Sequence, residues 1–210
     1  MALEIFSFIL GPLENNTFIL VDSSTREAVV VDPALGMQGV LPVINQNGWR
    51  IKAVWLTHAH FDHTSGIIAL NQYLGTDLPV GLHSDDLVLY HEGGGASVFG
   101  YDRKPDPEPG LFFDHGDLLK VGSESLEVRH TPGHTPGHVI FYSRSAGVVL
   151  TGDLIFAGSV GRTDLPGGNW KSLLESIHHQ VFTLPAETRI LSGHGENSSV
   201  GKELISNPFL

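Results

Sequence analysis

The segment Thr57-His58-Ala59-His60-Phe61-Asp62-His63 constrains this chain more than any other stretch. Four residues of metal-binding type, His58, His60, Asp62 and His63, fall almost side by side. The apolar run Ala53-Val54-Trp55-Leu56 precedes them directly and reads as a buried strand, so the four side chains belong to the loop that leaves its end. Imidazole and carboxylate donors together suit zinc, iron or manganese better than calcium or magnesium. Four such donors in so short a loop are hard to aim at one ion. His58 and His60 share one alternating direction, which leaves Asp62 and His63 free to turn toward a second ion. A merely histidine-rich surface loop would need no further ligands elsewhere in the chain.

The chain supplies further ligands in three places, each with the same local grammar. T-P-G-H-T-P-G-H, from Thr131 to His138, follows the strand-like Leu126-Glu127-Val128-Arg129. V-V-L-T-G-D runs from Val148 to Asp153, and I-L-S-G-H-G from Ile190 to Gly195. In each, a ligand type follows a strand and a glycine sits beside it. Glycine permits the tight backbone that brings a loop close to an ion. Strand ends that converge on one sheet edge are a natural place to build a site.

Strand-like runs occur at 3–10, 17–22, 28–32, 53–57, 78–82, 126–130, 139–142, 148–151 and 188–192. Helix-like patterns lie near 37–46, 65–73, 85–91 and 170–182; the last sets Leu173, Leu174, Ile177 and Val181 on one stripe. Strands followed by mixed strands and helices, twice over, predict an α/β chain: an αββα sandwich of two mixed sheets flanked by helices. The stretch from Gly93 to Gly110 is rich in Gly and Pro and reads either as a surface loop without a role or as a flap over the site, with Phe99 and Tyr101 as its substrate-touching candidates.

The series H-x-H-x-D-H, then His134, Asp153 and His194, resembles the metallo-β-lactamase superfamily. Within it the chain is similar to the glyoxalase II (hydroxyacylglutathione hydrolase) group, particularly short members without a helical C-terminal domain. The segment G-D-L-I-F-A-G-S-V-G-R-T-D-L-P-G-G (Gly152 to Gly168) and the tail from Gly193 carry that narrower match. The resemblance covers nearly the whole chain and implies one domain over 1–210. It implies that His58, His60 and His134 hold a first metal and Asp62, His63 and His194 a second, with Asp153 bridging. The ions expected are two divalent transition metals, zinc first, with iron or manganese as alternatives. The implied reaction is attack of a metal-bridging hydroxide on a thioester such as S-lactoylglutathione, with Asp62 and Asp153 catalytic. His138 is expected to support the ligands from behind.

In glyoxalase II proteins a basic residue after G-D-x-L-F meets the glutathione portion, and Arg162 occupies the matching place. Its guanidinium could pair with a substrate carboxylate, or simply with Asp164. The chain departs from the larger enzymes in having Thr163-Asp164 where they carry aromatic residues. G-R-T-D also resembles persulfide dioxygenases, which implies a rival centre of one iron on His58, His134 and Asp153. Against that rival, His194 stands in G-H-G rather than H-D-Y. A lactonase, a generalist ester hydrolase and a non-catalytic metal-binding domain are the remaining readings.

Charge excludes other classes. Twelve basic against 23 acidic residues give −11, which argues against nucleic-acid or anionic-membrane partners and leaves a small molecule. Cysteine is absent, so neither a thiolate ligand nor a thiol nucleophile exists. The first residues, M-A-L-E-I-F, lack a basic region and no apolar run is long enough to span a bilayer, so a cytoplasmic location is expected. Of the twelve histidines, His91, His115, His178 and His179 are expected in solvent, and His83 and His130 in structural roles at strand ends.

Overall fold

Central strands buried on both faces build the layers. The computed structural model describes residues 3–101 and 107–210. In chain order the first sheet contains β1 (Leu3–Leu10), β2 (Asn15–Asp22), β3 (Glu27–Val31), β4 (Arg50–Trp55), β5 (Val80–Leu82) and β6 (Leu111–Phe112), which also neighbour one another in that order. The second holds β7 (Leu118–Val121), β8 (Glu124–His130), β9 (Val139–Ser143) and β10 (Val148–Gly152). After a small hairpin, β11 (Ile155–Phe156) and β12 (Ser159–Val160), it continues with β13 (Arg189–Ser192) and β14 (Ser198–Ser199). Its spatial order is β14-β13-β10-β9-β8-β7. Both sheets are mixed: β3 to β6 pair in parallel, as do β10 and β13, while the other pairs are antiparallel.

Successive strand side chains point to opposite faces. On β2, Phe18 and Leu20 enter the interior between the sheets, where Val29, Val31, Trp55, Phe141 and Leu150 meet them. Ile19 and Val21 face outward and pack with Met37, Ile44 and Leu70 under the first helical layer. On the second sheet Ile140, Tyr142 and Val149 pack outward against Leu173, Ile177 and Val181. Strands covered on both faces read as continuous apolar runs, as Val29-Val30-Val31 does. The result is the αββα sandwich.

The helices are α1 (Leu41–Asn47), α2 (Phe61–Thr64), α3 (Ile67–Leu74), α4 (Leu87–His91), α5 (Trp170–Ser176) and α6 (Val200–Ser206). The pattern over 37–46 divides into a tight turn at Met37–Gly39 and α1, which starts with proline in its first turn. The stripe over 170–182 is one helix for seven residues, capped by the Asn169 side chain on the Ser172 amide, and then widens into π turns over Ile177–Val181. The strands of two residues and α6 escape the sequence pattern, because so few residues show no alternation. In α6 the buried residues are Val200 and an acid: Glu203 accepts from the Gly158 amide at 2.8 Å and from Asn207 at 2.9 Å, which ties α6 to the β11–β12 hairpin. No described helix is long and apolar enough to cross a membrane.

This topology sets the site. β3 and β4 run in one direction, and β8, β10 and β13 share a direction in the other sheet. Their carboxyl ends open on one edge of the sandwich. Backbone bonds stitch the sheets there: Val139 N–H to Thr57 O at 2.8 Å, and Asn16 N–H to Gly193 O at 2.7 Å.

Candidate metal centre

Four of the five ligand-type histidines are held by Nδ1. Asp32 directly follows β3 and is fully inside. It accepts from the Thr57 amide (2.8 Å), the Thr57 hydroxyl (2.7 Å) and His63 Nδ1 (3.0 Å). The Thr57 proton is thereby committed, so Thr57 Oγ1 accepts from His58 Nδ1 at 3.0 Å. His134 Nδ1 donates to the Arg162 carbonyl at 2.7 Å, and His194 Nδ1 to the Leu13 carbonyl at 2.9 Å. Those acceptors fix the neutral tautomers and leave the Nε2 lone pairs of His58, His63, His134 and His194 for the interior. An outward N–H on an acceptor and an inward lone pair is the arrangement of metal-binding histidines. His60 presents Nδ1 instead, 2.9 Å from His134 Nε2.

The donor atoms fall into sets that share members. Those of His58, His60 and His134 lie within 4.8 Å of one another, and so do those of Asp62, His63 and His194. Asp153 lies with His58 and His63 in a third such set. Its Oδ2 is 3.6 Å from both His134 Nε2 and His194 Nε2, and its Oδ1 is 3.4 Å from His63 Nε2. Asp62 reaches His194 Nε2 at 3.4 Å and His63 Nε2 at 3.7 Å, and its Oδ2 accepts from Asn15 Nδ2 at 2.9 Å. His58 Nε2, His63 Nε2 and Asp153 Oδ1 are buried without any hydrogen-bond partner. Buried polar atoms are rarely left so, and a cation among these three would satisfy them at once. The residues therefore fit a divalent metal centre of nitrogen and oxygen donors. All seven expected ligands stand around one point of the fold.

The electrostatics agree. Burial disfavours charge on His58 and His60, their imidazole neighbours add to this, and both titrate low, His60 at about 3. They are neutral donors at neutral pH. Burial opposes ionisation of Asp62 and Asp153, yet His63 beside them overrides it and keeps both carboxyls below their ordinary range. His63 is buried too, but Asp153, Asp62 and Asp32 surround it and raise its pKa.

A family model described as the Metallo-beta-lactamase superfamily matches residues 10–194. The chain belongs to that superfamily. It is 37% identical over 204 residues to a probable metallo-hydrolase, YqgX, of Bacillus subtilis, covering 96% of this chain and 94% of that one. It is 32% identical to the hydroxyacylglutathione hydrolase GloC of Haemophilus influenzae, over 91% of each. Among solved structures, TTHA1623 in a di-iron-bound form superposes with a TM-score of 0.88 at 39% identity, covering 98% of this chain and 100% of that one. ETHE1 from Myxococcus xanthus superposes with a TM-score of 0.80 at 28% identity, covering 98% and 83%.

The remaining histidines of this superfamily member sort by geometry. His138 does not face the centre. Its Nε2 accepts from the Asp153 amide at 3.2 Å and its Nδ1 lies 2.8 Å from Thr131 Oγ1, so it holds the backbone that carries Asp153. His83 and His130 stack at 4.0 Å with planes 7° apart, close to Asp85. One nitrogen of each ring is engaged locally: His130 Nε2 lies 2.8 Å from the Pro136 carbonyl, and His83 Nδ1 accepts from the Asp85 amide at 3.2 Å. His178 and His179 are exposed, and His91 is an exposed partner of Glu108 at 3.0 Å.

Three supporting residues were not legible as such. Asp32 ends V-V-V-D with the same strand-then-acid grammar as V-V-L-T-G-D, so a signal for it existed. Asn15 and Asp86 carried none. Asp86 is fully buried and accepts from the Ala59 amide (2.9 Å), the Thr135 hydroxyl (2.8 Å) and the Gly137 amide (2.6 Å). It thus clamps the loop bearing His58 and His60 to the loop bearing His134. Burial raises its pKa while these three donors pull the other way. Asp86→Asn keeps the shape but turns one NH2 toward a donor. We expect it to cost about 1–3 kcal/mol of stability by thermal unfolding, with weaker metal retention. Unchanged melting and metal content would show that the clamp is dispensable. Gly193 is required for a simpler reason: a Cβ there would lie 2.3 Å from Asp153 Oδ1 and 2.8 Å from His63 Cε1.

A cleft of about 360 Å³ opens over the centre, lined by His60, Asp62, His134, Asp153 and His194 at its base. Arg162 lines it as well, but its Nε and Nη2 donate to the Asp164 carboxylate at 2.7 and 2.8 Å. Of the two pairings open to Arg162 in the sequence, the structure contains the one with Asp164. The loop from Gly93 is folded onto the site edge: the Phe61 amide donates to Gly94 O at 2.9 Å, and Phe99 and Tyr101 lie 5.5 and 5.2 Å from the Phe61 ring. Phe99 lines the cleft. Residues 102–106 of that loop lie outside the described residues.

Proposed function

We propose that this chain is a binuclear metal-dependent hydrolase that cleaves a thioester, with S-lactoylglutathione as the first substrate to test. The observation that carries the reading is the pair of three-donor sets that share the edge of Asp153, with three buried donor atoms unpartnered. His58, His60 and His134 would hold one ion; Asp62, His63 and His194 would hold the other, with Asp153 between them. Zinc suits these donors, as do iron and manganese. Bound divalent ions supply Lewis acidity and a nucleophilic water at neutral pH.

The protein's own groups do the rest. Asp153, kept ionised and anchored through its amide by His138, sets the spacing of the two donor sets. Asp62, kept ionised and oriented by Asn15, is placed to accept a hydrogen bond from the attacking water and aim it. The water oxygen bonds to the acyl carbon, the carbon–sulfur bond breaks, and the products are a carboxylate and a thiol. A thiolate leaves without a strong general acid, which favours a thioester over an amide. The hydroxyacylglutathione hydrolase and metallo-hydrolase relatives, and the di-iron structure, support this reading.

The G-R-T-D segment and the likeness to ETHE1 favour a second reading, a one-iron persulfide dioxygenase on His58, His134 and Asp153. That centre would leave Asp62, His63 and His194 assembled without use. The hydrolase reading is tested by stripping metal with a chelator and following thiol release from S-lactoylglutathione. We expect less than about 1% of activity without metal and recovery on adding zinc, on the scale of removing a principal electrostatic stabiliser. Undiminished hydrolysis by demonstrably metal-free protein would end this reading.

A further inference from the structure

The cleft combines a charged floor with greasy walls. Leu13, Phe61, Phe99, Phe156, Val160 and Leu165 line it above the donor residues. Leu13 is 38% and Phe99 43% exposed, so apolar surface is held open to solvent directly over an ionised site. Small-molecule sites commonly join such walls to a few converging polar groups. Arg162 is the one Lys or Arg among the described residues lining the cleft, and the fork of its guanidinium is already occupied, bidentately, by Asp164. Both side chains are ionised in the neutral range, and the two hydrogen bonds hold them together at the mouth of the cleft. A carboxylate arriving beside Arg162 would therefore meet a guanidinium whose fork Asp164 already occupies.

Resting on the hydrolase reading above, we propose that the preferred substrates are thioesters with an uncharged, apolar acyl group seated against Phe99, Leu13 and Leu165, and that Asp164 selects against acyl groups ending in a carboxylate by holding Arg162. The reaction is unchanged: water adds its oxygen to the acyl carbon, the carbon–sulfur bond breaks, and the thiol departs with a proton. Selectivity comes from the walls. Each methylene taken from water into such a wall favours binding by about three- to four-fold. The ion pair is exposed, so releasing Arg162 shifts affinity for an anionic group by only about three- to five-fold.

The test uses one neutral thiol, N-acetylcysteamine, carrying acetyl, butyryl, hexanoyl or succinyl groups, and the metal-loaded full chain. For wild type, kcat/KM should climb from acetyl to butyryl to hexanoyl, with succinyl at least tenfold below butyryl. Phe99→Ala, at an exposed position that spares the fold, should flatten the hexanoyl-to-acetyl ratio by about tenfold. Asp164→Ser should raise the succinyl-to-butyryl ratio about three- to five-fold, through KM. A flat chain-length series in wild type, or succinyl equal to butyryl, would overturn the substrate class while leaving thioester hydrolysis standing. No hydrolysis of any of the four, nor of S-lactoylglutathione, by enzyme of verified metal content would overturn the hydrolase reading itself.

Discussion

Asp153→Ala is expected to reduce the proposed thioester hydrolysis by a factor of about a hundred or more in protein that remains folded. The size follows from position. Asp153 approaches donor atoms of both sets, His63 at 3.4 Å on one oxygen and His134 and His194 at 3.6 Å on the other. No other carboxylate among the described residues approaches all three. Removing it deletes the carboxylate proposed to be shared and also a negative charge beside His63. The variant should therefore hold less metal than wild type, measured after equal loading and desalting. His178→Ala, which truncates an exposed imidazole in the π turns, should keep both metal and activity. The comparison needs folded samples, because lost metal binding also lowers stability. Wild-type hydrolysis by folded Asp153→Ala under limiting metal would refute the shared role.

The second large effect is expected at a residue that touches no substrate. Asp32→Ala removes the acceptor of the Thr57 amide, the Thr57 hydroxyl and His63 Nδ1, all in a fully buried setting. Unpartnered buried donors cost about 1–3 kcal/mol each, so the loss should reach about 3–5 kcal/mol after partial relaxation. For a chain of this length that lowers the melting temperature by roughly 6–20 °C. The His63 ring loses its orienting partner, and Thr57, freed from Asp32, can rotate away from His58. Such support of ligand histidines is typically worth about 10–100-fold in metal affinity or activity. Differential scanning calorimetry and metal competition read the two consequences separately. A melting temperature and metal affinity both equal to wild type would show that Asp32 is not the anchor.

The seven candidate donors could be picked out in the sequence because four share the short loop after Ala53–Leu56, and His134, Asp153 and His194 each follow a strand with glycine beside it. The αββα layers were legible for a related reason: Phe18-Ile19-Leu20-Val21 sends alternate side chains into two separate cores. What the sequence could not show is which nitrogen each imidazole turns inward. Backbone carbonyls of Leu13 and Arg162 decide that for His194 and His134, and a carbonyl has no residue identity. Asp86 was equally hidden, since an aspartate at the start of a helical turn ordinarily faces solvent, and only the packing of two distant loops buries it. Arg162 illustrates a different limit. One sequence permitted a substrate contact or a pair with Asp164, and only side-chain geometry distinguishes them.

The central claim is that two metal ions per chain carry out hydrolysis. It is tested most directly by elemental analysis of folded, fully loaded and desalted protein, with thiol release from S-lactoylglutathione and oxygen uptake with glutathione persulfide measured on the same sample. The account predicts close to two first-row ions per chain, thiol release, and no oxygen uptake. One iron per chain, with full activity and oxygen consumed, would contradict it.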